Sequence, residues 1–336
     1  MMKSKIINAF SNLAPILENP TNELLMAVEK SLMDNKWFEK RDILFSLKAI
    51  AKWLNKNTLE EFCERYEFNS NPKNIAIICA GNIPAVGFHD FLCVILSGNK
   101  ALCKLSSSDN HLLPAIAKHL IGIEPELKER IAFIDGKLEG FDAVIATGSN
   151  NTSRYFNYYF SKYPNIIRHS RSSLAIIQNS QIDYNLLMSD ILSHKGLGCR
   201  NIKKIFIPNG FDFTPLIKAS QEYSHLLDHN KFRNNYDYHK AIFIMNNIEF
   251  IDTGILLLRQ SKEGFSPVSL LNYEYYDSIE QVEKELEIEK ENIQCVVSDI
   301  KKIGNFTTVP FGKAQEPEID DFADNVDTML FCNRVK

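Results

Sequence analysis

Residues 74–84 read NIAIICAGNIP and decide the fold. The continuous apolar run Ile75–Ala80 predicts a strand buried on both faces of a sheet. Gly81 and Pro84 signal a turn directly after it. The apolar segment Val86–Leu96 then predicts a helix, so this stretch has the form of the first strand and first helix of an α/β sheet.

The same alternation continues along the chain. Further strands are predicted over Ala101–Lys104, Ile131–Asp135 and Phe141–Ala146, with helical segments between them. This spacing is typical of βαβ units, which form a parallel sheet with helices on its faces. Ligands bind beyond the carboxyl ends of such strands. Asn82, Lys104 with Ser106, and Thr147-Gly148-Ser149 each follow or end one of them, and we expect a ligand site there.

Outside this region the pattern gives three further expectations. Residues 1–70 read as helices, and the stretch 106–109 (SSSD) predicts the N-cap of the helix that follows the second strand. From residue 203 to 297 strands alternate with helices again, which indicates a second α/β unit. One of its strands is predicted at Ala241–Met245.

Residues 193–201 read SHKGLGCRN and contain the candidate nucleophile, Cys199. Gly196 and Gly198 allow a ligand to approach the backbone closely. A thiol on such a turn can attack a bound carbonyl while backbone N–H groups hold the oxyanion. The alternative is a small buried cysteine at the end of a loop, since free cysteine is often buried.

Positive charge near Cys199 would lower its pKa, and Arg200, His194 and Lys195 are placed to supply it. For His194 an exposed loop histidine is an equal alternative. Cys79, Cys93 and Cys103 fall in strand or helix patterns and are expected to be packing residues.

The Thr147-Gly148-Ser149 stretch also has two readings. Its hydroxyls and N–H groups could bind a phosphate at a helix N-terminus, or it could be a plain turn and cap. The chain has no GxGxxG, so the ordinary dinucleotide fingerprint is missing.

Composition restricts the class of protein. The chain has 336 residues, 45% apolar and 24% charged, with a net charge of −4, which fits a globular protein of two domains and gives no reason to expect a nucleic-acid partner. Its seven cysteines are dispersed without metal-ligand spacing, so we expect reduced thiols, a cytoplasmic location and no metal. No signal-peptide pattern or membrane span is predicted.

Taken together, these motifs resemble the aldehyde dehydrogenase superfamily, and within it the LuxC-type acyl-CoA reductases. The resemblance covers residues 74–336. AGNIP (80–84) is similar to the motif whose Asn contributes to the oxyanion hole, and GLGCRN (196–201) to the nucleophile loop. KLSS (104–107) is similar to the stretch that holds the adenosine ribose, TGS (147–149) to the pyrophosphate motif, and EGFSPV (263–268) to the segment beside the nicotinamide.

The resemblance implies a role for each of these residues. Cys199 would be the nucleophile and Asn82 the oxyanion donor. The implied cofactor-binding residues are Lys104, Ser106, Ser107, Thr147, Gly148, Ser149, Glu263 and Phe265. The implied fold is a Rossmann-type parallel-sheet cofactor domain with a second α/β catalytic domain. The expected divisions are 1–172 (helices and cofactor domain), 173–305 (catalytic domain) and 306–336 (a segment returning to the first domain or to an oligomer interface).

Two departures from the superfamily pattern refine the expected chemistry. Hydrolytic members carry a carboxylate that activates water, whereas the corresponding stretch 167–170 has none, which favours reduction of a thioester over oxidation of an aldehyde. NAD-preferring members carry Glu where Ser107 stands, and its absence beside Lys104 favours NADPH, with NADH as the second option.

The resemblance thus implies an enzyme that reduces an acyl-CoA, a fatty acyl-CoA by analogy, to the aldehyde. An acyl-protein synthetase or an acyl carrier is an implied partner, and a homodimer is the expected assembly. Two alternatives stay open: a reductase of acyl phosphates of the glutamyl-phosphate type, and a non-catalytic scaffold with the same fold.

Overall fold

The computed structural model describes residues 2–179 and 181–335. The chain divides into two compact units, Met1–Ser170 with Glu318–Lys336, and Arg171–Pro317. The division into domains 1–172, 173–305 and 306–336 expected from the sequence stays a prediction about functional domains.

Four helices open the first unit, as the sequence predicts. They are α1 (Met2–Glu18), α2 (Asn22–Asp34), α3 (Lys40–Trp53) and α4 (Lys56–Glu64). The side chains of Thr21 and Asn55 cap α2 and α4 by accepting backbone N–H groups of the first turn. Apolar residues of α1 repeat at helical spacing, and Phe10 among them is fully buried against the rings of Phe88 and Phe91.

A five-stranded parallel sheet follows in the same unit, which confirms the predicted architecture. Its strands are β1 (Asn74–Ile78), β2 (Lys100–Lys104), β3 (Ile131–Phe133), β4 (Ala143–Thr147) and β5 (Asn165–Arg168), and their order across the sheet is β3-β2-β1-β4-β5. The helices between them are α5 (Phe88–Leu96), α6 (Leu112–Ile123) and α7 (Asn150–Phe160). β1 is the central strand, and Ile75, Ala76 and Ile77 are buried, as a strand covered on both faces requires.

The predicted cap of α6 is wrong. The helix begins at Leu112 after His111, which makes no side-chain capping bond. Asp109 is instead buried, and its carboxylate accepts the backbone N–H of Ala85 at 2.7 Å. Asp109 therefore makes a tertiary hydrogen bond to the backbone of Ala85 and does not cap α6.

The C-terminal segment belongs to the first unit. It contains α12 (Thr328–Arg334). Arg168, buried on β5, forms an ion pair with Asp90 and donates to the hydroxyl of Thr328 at 3.0 Å. Asn99 donates to the carbonyl of Cys332 at 3.0 Å. These buried contacts attach α12 to the sheet and to α5.

The second unit holds a mixed sheet. Its strands are β6 (Ser172–Ile176), β7 (Ile202–Pro208), β8 (Ile251–Asp252), β9 (Leu257–Gln260), β10 (Leu270–Tyr276), β11 (Ile293–Val297), β12 (Lys302–Ile303) and β13 (Phe306–Val309), in the order β12-β13-β11-β6-β7-β10-β9-β8. The edge pairs β8–β9 and β12–β13 are antiparallel and the other pairs are parallel. Its helices are α8 (Tyr184–Leu192), α9 (Thr214–Ser220), α10 (Asn230–Met245) and α11 (Ile279–Glu289).

The strand predicted at Ala241–Met245 is wrong, because these residues form the last turn of α10. A short apolar run does not distinguish a buried strand from a helix end by periodicity alone. Only one side of the run is covered: Phe243 is buried, whereas Ile244 and Met245 are 59% and 77% exposed.

Candidate active site

Cys199 lies in the loop between α8 and β7, and it is exposed. Cys63, Cys79, Cys93, Cys103 and Cys332 are buried, and burial raises the pKa of each of these thiols. The packing role expected for Cys79, Cys93 and Cys103 fits this burial. The alternative reading of Cys199 as a buried packing residue does not fit its exposure.

The backbone before Cys199 is left-handed over three consecutive residues. The φ angles are 49° at His194, 58° at Lys195 and 75° at Gly196. A left-handed conformation costs about 1–2 kcal/mol for a residue with a Cβ. Such strain persists only where the surrounding structure holds it, and it is concentrated at functional sites.

The side chain of Asn201 holds this loop. Asn201 is fully buried, and its Oδ1 accepts the N–H of Gly198 at 2.7 Å. Its Nδ2 lies 3.1, 3.2 and 2.9 Å from the carbonyl oxygens of Asp190, Ile191 and Ser193. One amide therefore fixes the end of α8 and both sides of the left-handed turn.

Lys203 and Ser173 also contact the loop. The Nζ of Lys203 donates to the carbonyl of Gly196 at 2.6 Å, and burial lowers its pKa to about 8. The hydroxyl of Ser173 donates to the carbonyl of Cys199 at 3.0 Å and lies 3.1 Å from the Cys295 sulfur. Sequence reasoning gave no role to Asn201, although it closes the stretch GLGCRN (196–201), and it missed Lys203 and Ser173, because no motif marks a residue that acts on neighbouring backbone.

The basic residues around Cys199 occupy different environments. Arg200 donates to the carbonyl of Ala314 at 3.2 Å. His194 and Lys195 are 8% and 1% exposed. The reading of His194 as an exposed loop histidine is therefore wrong, because the left-handed turn directs this residue into the unit.

Glu263 and Phe265 lie on an exposed segment of the second unit. The Glu263 side chain is 69% exposed and forms an ion pair with Arg259, and Phe265 is 59% exposed. The buried amide of Asn272 donates to the carbonyls of Glu263 and Phe265 at 3.0 and 2.9 Å. The Lys203 Nζ lies 5.9 Å from the centre of the Phe265 ring, within cation–π distance.

In the first unit, the structure brings together three predicted site loops. β2, β1 and β4 are adjacent and parallel, so the loops that follow them share one edge of the sheet. Asn82, the Lys104–Ser107 stretch and Thr147-Gly148-Ser149 all lie at this edge. The position of Cys199 differs, because it precedes the amino end of β7 in its own sheet.

Thr147-Gly148-Ser149 leads directly into α7. The Ser149 hydroxyl accepts the N–H of Thr152 at 3.3 Å, so this residue does cap the helix. A Cβ on Gly148 would lie 3.0 Å from side-chain atoms of Thr152 and Phe156, which explains the glycine. Capping by Ser149 is compatible with phosphate binding, since the N-terminal turn of a helix can also receive an anion.

The ribose-binding candidates lie around the end of β2. The Lys104 Nζ donates to the carbonyl of Gly136 at 2.5 Å. The Ser106 hydroxyl accepts the N–H of Ser108 at 3.2 Å, which shapes the turn, and Ser107 is exposed. Position 107 and its two neighbours in sequence are all serines, so none of them carries a carboxylate.

Asn82 is exposed on a short loop after β1. The carbonyl of Gly81 accepts the Nδ2 of Asn35 at 3.3 Å, and the N–H of Ala85 donates to Asp109. Burial raises the pKa of the Asp109 carboxyl to about 7. Sequence reasoning found no sign of a role for Asn35, and it placed Asp109 only in the stretch expected to cap α6.

The stretch 167–170 carries no carboxylate, as the sequence states. Its one charged side chain on β5 is Arg168, which is buried and ion-paired with Asp90. Asp90 is therefore held by a cation and is not placed as a free base.

Comparison with known proteins gives a family and a fold. The family model described as acyl-CoA reductase (LuxC) matches residues 6–210. None of the curated protein sequences matches the chain. Solved structures with the same fold are aldehyde dehydrogenases, which confirms the aldehyde dehydrogenase-like fold expected from the sequence.

Three of these structures are as follows. Aldehyde dehydrogenase 21 from Physcomitrella patens, in complex with succinate, has a TM-score of 0.68 at 10% identity, covering 99% of this chain and 84% of that one. An aldehyde dehydrogenase from Mycobacterium tuberculosis, complexed with NAD+, has a TM-score of 0.62 at 13% identity, covering 92% and 74%. The NAD+ complex of an aldehyde dehydrogenase from Bacillus cereus has a TM-score of 0.60 at 13% identity, covering 90% and 73%.

Two further properties hold for residues 2–179 and 181–335. None of their helices has the length and apolar character needed to cross a membrane. They also contain no cluster of three or more His, Cys, Asp or Glu side chains that could hold a metal ion.

Proposed function

Because the chain belongs to the acyl-CoA reductase (LuxC) family, we propose that it reduces an acyl-CoA thioester to the aldehyde through an acyl-enzyme on Cys199. Membership of this family identifies the chain as an oxidoreductase that acts on aldehydes or acyl-CoA. The thioester substrate, the choice of NADPH and the roles of individual residues are the proposal.

One observation carries the proposal: Cys199 is the exposed thiol on a strained loop that buried side chains hold in place. In the proposed reaction the Cys199 thiolate attacks the carbonyl carbon of the acyl-CoA. The bond from that carbon to the CoA sulfur breaks, and CoA leaves as a thiolate that takes up a proton. The attacking form is the thiolate, which nearby positive charge favours, and the proposal assigns that charge to Arg200, the next residue in sequence.

Oxyanion stabilisation is assigned to Asn82 and to the backbone N–H of Cys199. Asn82 is exposed on a loop fixed at both ends, which suits a donor that must be available to substrate without reorganising. The roles rest on the family resemblance at AGNIP (80–84) and GLGCRN (196–201).

We expect the acyl-enzyme to be reduced by hydride and not hydrolysed by water. The stretch 167–170 supplies no carboxylate, and Arg168 there is paired with Asp90. By the resemblance, the acyl-enzyme would lack the general base that hydrolytic members supply from this stretch.

The proposal of a nicotinamide dinucleotide draws on residues of both units, each assigned by the resemblance. The turn Thr147-Gly148-Ser149 lies at the start of α7, and the N-terminal turn of a helix can receive a phosphate. Lys104, Ser106 and Ser107 would hold the adenosine ribose, and Glu263 and Phe265 the nicotinamide half. When bound, the reduced nicotinamide would supply a hydride to the acyl carbon. The bond from that carbon to the Cys199 sulfur then breaks, which releases the aldehyde and returns Cys199 to its thiolate.

Mass spectrometry tests the nucleophile directly. The protein is incubated without NADPH with acetyl-CoA, octanoyl-CoA and myristoyl-CoA in turn, and the acylated peptide is identified. We expect an acyl group on Cys199 with at least one of these thioesters, no adduct in Cys199→Ala, and an unchanged adduct in Cys295→Ala, the partly exposed control thiol.

NADPH oxidation measured with the same acyl-CoA completes the test. Cys199→Ala should abolish it and Cys295→Ala should retain it. Turnover that persists in Cys199→Ala would refute the acyl-enzyme mechanism. Turnover with an acyl phosphate but with none of the three thioesters would favour the acyl-phosphate alternative, and a failure to bind NADPH would favour the scaffold.

A homodimer, and delivery of the acyl group by an acyl-protein synthetase or an acyl carrier, remain part of the proposal.

A further inference from the structure

The loop that carries Asn82 is fixed by two buried side chains from elsewhere in the first unit. Asn35 donates to the carbonyl of Gly81 at 3.3 Å, and Asp109 accepts the N–H of Ala85 at 2.7 Å. Ala85 has a left-handed φ of 54°, which a residue with a Cβ adopts only when its surroundings hold it there. The exposed Asn82 stands between these two fixed points.

Asn35 reaches a second loop at the same time. Its Nδ2 also donates to the carbonyl of Ser108 at 3.1 Å, in the loop that follows β2. The two loops are in close contact, because a Cβ on Gly81 would lie 2.7 Å from the Ser106 hydroxyl. The amide of Asn35 therefore joins the Asn82 loop to the loop that contains the ribose-binding candidates Ser106 and Ser107.

The surroundings of Asn35 leave little freedom for this amide. Asn35 is 7% exposed and directly follows α2, in the N-terminal helical region. Its Oδ1 accepts the N–H of Trp37 at 3.0 Å, so its oxygen and its nitrogen both have partners. Removing the amide nitrogen would leave two carbonyls without their buried donor, which a structure relieves by shifting the loops.

We propose that Asn35 is a positioning residue for Asn82, and that through Ser108 it couples the placement of Asn82 to the ribose-binding loop. The inference rests on the proposed function. Misplacing a catalytic group by about 1 Å can cost about 100-fold in rate, so a small shift of the loop should be measurable. The N-terminal helices would then take part in the active site by orienting it.

A double-mutant cycle tests this role. Asn35→Asp keeps the size of the side chain and the oxygen that accepts from Trp37, but it cannot donate to Gly81 and Ser108. The readout is the rate of CoA release in a single turnover without NADPH, with whichever acyl-CoA acylates Cys199. We expect Asn35→Asp to slow release about tenfold or more in the wild-type background. In Asn82→Ala it should slow release by less than about twofold, because the side chain that Asn35 positions is already absent.

Asn99→Asp is the matched control, because Asn99 is also buried in the same unit and its amide donates to Ser97 and Cys332, outside both loops. It should leave CoA release per folded protein unchanged. NADPH affinity should fall in Asn35→Asp and not in Asn99→Asp. If Asn35→Asp does not fold, Asn35→Ala takes its place in the same cycle.

The outcomes separate two failures. Equal slowing by the Asn35 variant in both backgrounds would show that Asn35 acts independently of Asn82, and it would overturn this inference alone. CoA release that persists in Cys199→Ala, or that is unaffected by Asn82→Ala, would overturn the proposed function and this inference with it.

Discussion

The ammonium nitrogen of Lys203 lies 2.6 Å from the carbonyl oxygen of Gly196, at the end of the left-handed turn before Cys199. Lys203 is 7% exposed, and burial disfavours its charged form. If Lys203 served stability alone, an apolar side chain in its place would make the folded protein more stable. Its hydrogen bond to a strained loop indicates that it holds the candidate nucleophile in place.

Burial of Lys203 makes the stability of the protein depend on pH in a defined direction. Its pKa is about 8 in the folded protein against 10.5 for an unperturbed lysine, so between these values the unfolded chain binds the extra proton. The cost of burying the charge is present in full below pH 8 and is lost as the pH rises towards 10.5. We expect the free energy of unfolding of the wild type, relative to Lys203→Met, to rise by about 2–3 kcal/mol from pH 7 to pH 10.

Urea unfolding at both pH values measures this difference. Lys48→Met, the same substitution at an exposed lysine, provides the control. A pH-independent difference for Lys203→Met would mean that Lys203 keeps an ordinary pKa in the folded protein.

Asn201→Asp should disrupt the cysteine loop. The new carboxylate can still accept from Gly198, but it would face the carbonyls of Asp190, Ile191 and Ser193, to which Asn201 donates. We expect a loss of about 2–4 kcal/mol in stability and a fall of about 100-fold in acylation of Cys199. The measurements are thermal unfolding and CoA release.

The exposed Asn209, bonded to Asp277, supplies the control Asn209→Asp in the same unit. If Asn201→Asp were destabilised while its folded fraction acylated at the wild-type rate, the loop would not need Asn201 for its active shape.

Ser107→Glu should shift the cofactor preference towards NADH. A carboxylate at this position would accept hydrogen bonds from both ribose hydroxyls and repel a 2′-phosphate. We expect the ratio of kcat/KM for NADPH to that for NADH to fall about tenfold or more, which is a change of about 1.4 kcal/mol. Ser107→Gln, which is similar in size without the charge, is the control, and an equal shift in both variants would argue against charge as the cause.

Gly148→Ala should weaken cofactor binding. The new Cβ would lie 3.0 Å from Thr152 and Phe156, so the first turn of α7 would have to shift. We expect a rise of about tenfold in the Kd for NADPH, with little effect on acylation of Cys199 in its absence. Gly122→Ala, on α6 with no atom within 4 Å of the added Cβ, is the control; unchanged NADPH affinity in Gly148→Ala would speak against a phosphate site at this turn.

The asparagines Asn35, Asn201 and Asn272 show a common arrangement. Each is buried, and each donates from its amide to backbone carbonyls of a loop that holds candidate site residues. An amide suits this role because it bridges carbonyls without bringing a charge into the interior. No pattern in the sequence separates Asn35 and Asn272 from other asparagines, and the stretch GLGCRN (196–201) does not show what Asn201 binds.

The sequence by itself determined the local features. Short-range rules gave meaning to the apolar run Ile75–Ala80, to the polar residues after each strand and to the glycines before Cys199. The alternation of predicted strands and helices predicted the α/β fold, which the structure and the solved structures similar to it confirm. The roles of Asn82, Cys199 and the cofactor residues remain predictions.

Only the tertiary structure decided which side chains hold those residues in place. Residues 241–245 end a helix, and only one side of this apolar run is covered. Asp109, in the stretch expected to cap α6, accepts the N–H of Ala85 instead. The partners of Asn35 and Asp109 come from segments far apart in sequence, and local rules contain no term for such contacts.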